Sequence, residues 1–279
     1  MAIKDILLIV RSGAANETLF AVAAVAARCQ GAMVRGLGLV EEPPITVAES
    51  FARGSAAIDE VLVQREQRIQ QEVGAAQGRF EQAMAAARIQ ADWRSSEVGE
   101  PVETLSVRAR YADLVAVAQP AEHDHDGRAL VEALVLTGGA PVLVAPPSGT
   151  YAGAFQRIVL AWDGGLSARR ALDASLAFLT AARVVEVVVV EDGGSSAVDQ
   201  PALDALLARL ARHGVQAQPR RIGQGLDGAG AALLTHAATF DADLLVMGAF
   251  GHSRAVEAIV GGVTRTVLTR AHLPVLLAH

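Results

Sequence analysis

The chain has 279 residues, of which 52% are hydrophobic, and its mean hydropathy is +0.33, enough apolar material for one large core or two ordinary ones. A net charge of -6, from 24 basic and 30 acidic residues, argues against a broadly basic nucleic-acid-binding surface. Cys29 is the single cysteine, which excludes an intrachain disulfide and a cysteine-based zinc cluster and fits a reducing compartment.

The first element is the apolar run Ile6–Val10 in DILLIVRSG, which ends in a glycine turn. It is too short for a membrane span or a secretory core, as is VVEVVVV at 184–190. The chain therefore reads as a soluble cytoplasmic protein with no membrane partner and no nucleic-acid partner. A helical pattern follows and carries Cys29 near its end, where a small buried hydrophobe is the natural reading. A longer helix is predicted over roughly 56–90, with Ile58, Leu62, Ile69, Val73, Phe80 and Met84 on one stripe that suits packing on a sheet or on a partner chain. Gly74 and Gly78 weaken that helix. The strand-like YADLVAVAQP begins at Tyr111. EHDHD, residues 122–126, alternates His and carboxylate as a divalent-ion chelate could, but such short polar loops are usually solvated, and no metal site is expected. APVLVA at 140–145 closes this part.

PPSGTYAGAF, residues 146–155, is rich in Pro, Gly and Ser and lacks periodicity, so it reads as a linker. The pattern then repeats. RIVLAWDGG from Arg157 matches DILLIVRSG, FDADLLVMGAF from Phe240 matches YADLVAVAQP, and LPVLLA matches APVLVA, in the same order. Domains are expected at 1–147 and 154–279. In the second copy strand-like runs fall at 157–162, 184–190, 215–222, 243–247 and 274–278, with helical patterns at 167–181, 201–213, 227–239 and 264–271. Unbroken apolar runs suit strands buried on both faces, and strand–helix alternation gives an α/β sheet with right-handed crossovers. The expected fold is two tandem open, mainly parallel five-stranded sheets with helices on both faces, the last strands free to pair within the chain.

One stretch, MGAFGHSRAVEAIVGGVTRTVL at 247–268, carries the candidate chemistry. Gly248 opens the loop beyond a strand's carboxyl end, where open α/β sheets bind ligands. Gly248 and Gly251 can take positive φ and let backbone N–H groups approach a ligand. Gly261 and Gly262 precede a helical segment whose N-terminus suits phosphate oxygens. Thr264 could add a hydroxyl, and His252, Ser253 and Arg254 could cover the phosphates. The spacing is neither a P-loop nor G-x-G-x-x-G.

G-x-x-G, nine residues, then G, in an α/β unit of this size, resembles the nucleotide-binding signature of the universal stress protein family, and the resemblance runs over both copies. It implies a Rossmann-like, adenine-nucleotide-alpha-hydrolase-like fold and a ligand that is ATP or another adenine nucleotide, with or without Mg2+. It also implies a role in stress response or signalling through protein partners, and a homodimer; tandem members are common among bacteria. Carried over residue by residue, the ligand would meet Ala161, Trp162 and Asp163 at the first strand's end and Val190 at the second's. Met247, Gly248, Phe250, Gly251, Gly261, Gly262, Val263 and Thr264 would line the rest. Gly262 stands where the family usually has Ser or Thr, and Phe250 where many binders have a polar residue. In the first copy Arg11 aligns with Asp163, and Ala118 and Ala121 with Gly248 and Gly251, so no ATP-type site is expected there and Arg11 reads as a solvated side chain. Ser167 reads as a helix N-cap.

No nucleophile pairs with a base in a recognisable motif, so no catalytic residue is assigned and any hydrolysis should be slow. The alternatives are an interaction module without nucleotide binding, and a weak nucleotide-hydrolysing or nucleotidyl-transferring enzyme.

Overall fold

A computed structural model describes residues 2–11, 16–40, 55–193, 198–251 and 262–279. The first half supplies strands β1 (Asp5–Arg11), β2 (Met33–Val40), β3 (Ala91–Val98), β4 (Leu114–Ala118) and β5 (Val142–Ala145). Its helices are α1 (Glu17–Gln30), α2 (Ser55–Ala87), α3 (Val102–Ala109) and α4 (His125–Thr137). The second half supplies β6 (Arg157–Ala161), β7 (Val184–Glu191), β8 (Ala217–Gly223), β9 (Leu244–Gly248) and β10 (Val275–Ala278), with α5 (Leu166–Ala181), α6 (Gln200–Arg212), α7 (Gly228–Thr239) and α8 (Gly262–Arg270).

The two expected five-stranded sheets are one ten-stranded sheet, in the order β3-β2-β1-β4-β5-β10-β9-β6-β7-β8. Every neighbouring pair is parallel except β5 and β10, which run antiparallel with Leu143 opposite Leu276. Val142, Leu143, Val144, Val275, Leu276 and Leu277 are all buried at this junction. Each such aliphatic side chain contributes about 1.5–3 kcal/mol on burial, so the seam between the halves is core rather than a loose contact.

The unbroken apolar runs follow from this sheet. Successive side chains point to opposite faces, and both faces are covered. Ile6, Leu8, Leu114, Leu143, Leu160, Val187 and Leu276 meet one core with side chains of α1, α2, α5 and α6, while Leu7, Ile9, Val115, Val144, Val159, Val188 and Leu277 meet the other with α3, α4, α7 and α8. Each core runs through both halves. The repeated Ala-Asp-Leu has a repeated structural role. Asp113 accepts the backbone N–H groups of Lys4 (2.8 Å) and Asp5 (3.0 Å), and Asp243 accepts those of Gln156 (2.6 Å) and Arg157 (3.0 Å). In each half this carboxylate ties the fourth strand to the entrance of the first.

The predicted stripe of α2 packs only in part. Phe80 and Met84 are buried, Ile69 and Val73 half-buried, and Leu62 exposed; the Ile58 side chain lies outside the description. At about 1.5 Å per residue, a helix of this length runs well beyond the strands it covers. Cys29 is half-buried, and burial pushes its thiol up.

Candidate functional site

Three strand ends and two helix starts meet beside Gly248. Strand β6 lies between β9 and β7, so Ala161, Gly248 and the end of β7 stand side by side. Trp162 extends β6 by donating its N–H to the Val188 carbonyl (2.8 Å). Beyond it, the exposed Asp163 turns back, and its Oδ1 accepts the N–H of Gly165 (2.8 Å), which caps α5. Val190 is half-buried against the apolar core, two residues beyond Val188.

Gly248 is a glycine because a helix presses on it. A Cβ there would lie closer than 3.0 Å to three backbone atoms at the start of α5, with the Ser167 carbonyl carbon at 2.7 Å and Ala168 Cα at 2.9 Å. A Cβ at Gly251 would meet only the Ser167 side chain, 3.5 Å from Oγ. The expected positive φ is absent at both glycines and falls instead on Phe250, at 55°. That left-handed conformation is uncommon for a bulky residue and marks a backbone held by its surroundings. The holders are visible. Phe250 N–H points to Thr264 Oγ1 (3.4 Å), the Phe250 ring meets the His279 ring edge-on (6.5 Å), and His279 Nδ1 donates to the Ala249 carbonyl (3.0 Å).

These contacts correct three expectations. The Thr264 hydroxyl is buried and turned to the Phe250 N–H rather than open to a ligand. Ser167 lies inside the first turn of α5, and Gly165 is the cap. Met247 is 4% exposed, so its side chain belongs to the core and only its backbone reaches the site. Val263 is half-buried at the start of α8, while Gly262 is exposed, with open space where a Cβ would be. Gly261 and the loop with His252, Ser253 and Arg254 lie outside the described residues. The structure thus brings Ala161, Trp162, Asp163, Gly248, Phe250, Gly251 and Thr264 to one end of the sheet, with Val190 one strand further along. It adds Ala168 and His279, which no spacing in the sequence connects to the glycines.

Residues 154–279 match the family model for the universal stress protein family. This half of the chain is a universal stress protein domain. No curated protein matches it. Among solved structures, a universal stress protein from Archaeoglobus fulgidus superposes with a TM-score of 0.71 at 17% identity, over 98% of this chain and 95% of its own. A functionally unknown protein from Pseudomonas aeruginosa gives 0.57 at 14% identity, over 99% and 92%. At these identities the likeness is one of fold, and it spans both halves of the chain. A universal stress protein in complex with cAMP is 23% identical over 45% of this chain and 97% of its own, with a TM-score of 0.35.

Two further features lie away from the glycines. An open cavity of about 390 Å³ lies between β8 and α7, lined by Ile222, Gly223, Asp227, Thr235 and His236 among others, and by none of the predicted ligand residues. Behind it the buried Glu186 carboxylate meets His236 Nε2 (2.7 Å) and Arg220 (3.6 Å). In the first half EHDHD is a helix start. Asp124 caps α4 by accepting the Gly127 N–H (2.9 Å), and Arg11 pairs with its other oxygen. No three His, Cys, Asp or Glu side chains converge as a metal site among the described residues. Nor is any described helix long and apolar enough to cross a membrane.

Proposed function

We propose that the universal stress protein domain in the second half of the chain binds ATP or a related adenine nucleotide and acts as a ligand-responsive unit in stress response or signalling. The observation that carries this reading is the convergence of Asp163, Gly248, Gly251 and the start of α8 at the carboxyl end of a parallel sheet, where such folds take their ligands. Gly262 stands at the N-terminus of α8, where helix backbone N–H groups suit a phosphate oxygen. Asp163 is the one carboxylate among the proposed ligand residues. It suits Mg2+ held mainly by phosphate oxygens, since that ion needs few protein carboxylates.

The arrangement supports binding rather than catalysis. No described residue near Gly248 forms a nucleophile–base pair of the kind P-loop-free hydrolases would need. Calorimetry with ATP, ADP, AMP and cAMP tests the reading. At least one should bind, and Gly251→Asp, which sets a carboxylate beside Ser167 and against the phosphates, should weaken binding at least about tenfold. No heat with any of the four would overturn the reading and favour an interaction module. Turnover faster than about one per second would favour an enzyme.

A further inference from the structure

The two halves can be laid on each other by strand register alone. Ile6 pairs with Leu114 as Ile158 pairs with Leu244, and Ala118 pairs with Ala145 as Gly248 pairs with Ala278. Arg11, five residues beyond Ile6, therefore stands where Asp163 stands in the second half. Arg11 is not the solvated side chain its sequence position implies. Its guanidinium reaches across the strand ends to Asp124, whose other carboxylate oxygen holds the first turn of α4. Both side chains are largely buried, at 22% and 27% exposed. Gly127 completes the closure, because a Cβ there would collide with both partners. Burial works to raise the Asp124 carboxyl, yet Arg11 and the Gly127 N–H outweigh it and hold the group below its ordinary value.

We infer that the first half is the same strand-end site closed by its own side chains, so that the chain takes up one nucleotide, in its second half. The Asp124 carboxylate occupies the helix N-terminus and the cation that an anionic ligand would need. Being part of the chain, it competes at a high effective concentration that a free nucleotide at cellular levels does not match. The tandem architecture then resembles a dimer with one working site and one sealed site.

This inference rests on the nucleotide reading of the second half, and the test separates the two. Equilibrium dialysis of the full chain with labelled ATP should give one nucleotide per chain, falling to none in Gly251→Asp. Two per chain, of which one remains in Gly251→Asp, overturns the inference while leaving the nucleotide reading intact; one per chain in both proteins overturns both. Should the wild type bind none, the nucleotide reading has failed, and the closure is decided by urea unfolding of Arg11→Ala, Asp124→Asn and the double variant. Asparagine keeps an acceptor for the Gly127 N–H, so the helix cap survives and only the ion pair is lost. Losses that overlap, with coupling of about fivefold or more in the unfolding constant, support the closure; additive losses overturn it.

Discussion

Gly248→Ala separates packing from ligand binding in the signature. The added methyl would sit within 3.0 Å of Ala168 N, the Ser167 carbonyl carbon and Ala168 Cα. All three are backbone atoms, so relief requires β9 and α5 to move apart rather than a side chain to rotate. Overpacking of this kind costs about 1–3 kcal/mol. Rigid backbone on one side and the buried Val246 and Met247 on the other place this site towards the upper end, at about 2–3 kcal/mol. For a unit of this size, about 1 kcal/mol moves Tm by roughly 2–4 °C, so a fall between about 4 and 12 °C is expected without any ligand. Gly251→Ala is the control. Its Cβ would be in ordinary contact with Ser167 at 3.5 Å, and its Tm should stay within about 2 °C of wild type. Differential scanning calorimetry of both variants, in nucleotide-free buffer, is the assay. If Gly248→Ala melts with wild type, the close approach of α5 is not what demands glycine, and the packing account fails.

Other expectations follow from the same geometry. Asp243→Ala should lose about 1–3 kcal/mol by urea unfolding, because the Gln156 and Arg157 N–H groups lose their acceptor; Asp113→Ala should do the same to the first half. His236→Ala leaves the buried Glu186 with Arg220 alone at 3.6 Å, and a loss of about 2 kcal/mol or more at neutral pH is expected; a neutral effect would mean that water replaces the imidazole. Asp124 titrates lower in the folded chain than in the unfolded chain. Its contribution, about 1 kcal/mol for a partly exposed pair, should therefore be full above an unfolded value of about 3.9 and vanish as pH falls through the folded value. The stability gap between wild type and Asp124→Asn should close over that acid range; a gap that widens on acidification would reverse the assigned sign.

Local pattern was enough to read the repeat, the buried strands and the glycine exit after β9. Apolar runs such as VVEVVVV encode burial on both faces, and a glycine after a strand encodes a tight exit, because each is a property of a few adjacent residues. What sequence order left open depends on contacts between distant segments. Pairing of β5 with β10, which makes one sheet of two, joins residues more than 130 positions apart and is set by two exposed edges finding each other. The left-handed turn at Phe250 rather than at a glycine is imposed by Thr264 and His279. Arg11 looks like a surface residue in its own neighbourhood, and only the return of the chain at Asp124 makes it half of a partly buried ion pair. Spacing thus drew attention to the glycines, while tertiary packing decided which of them the backbone requires and that Arg11 pairs with Asp124.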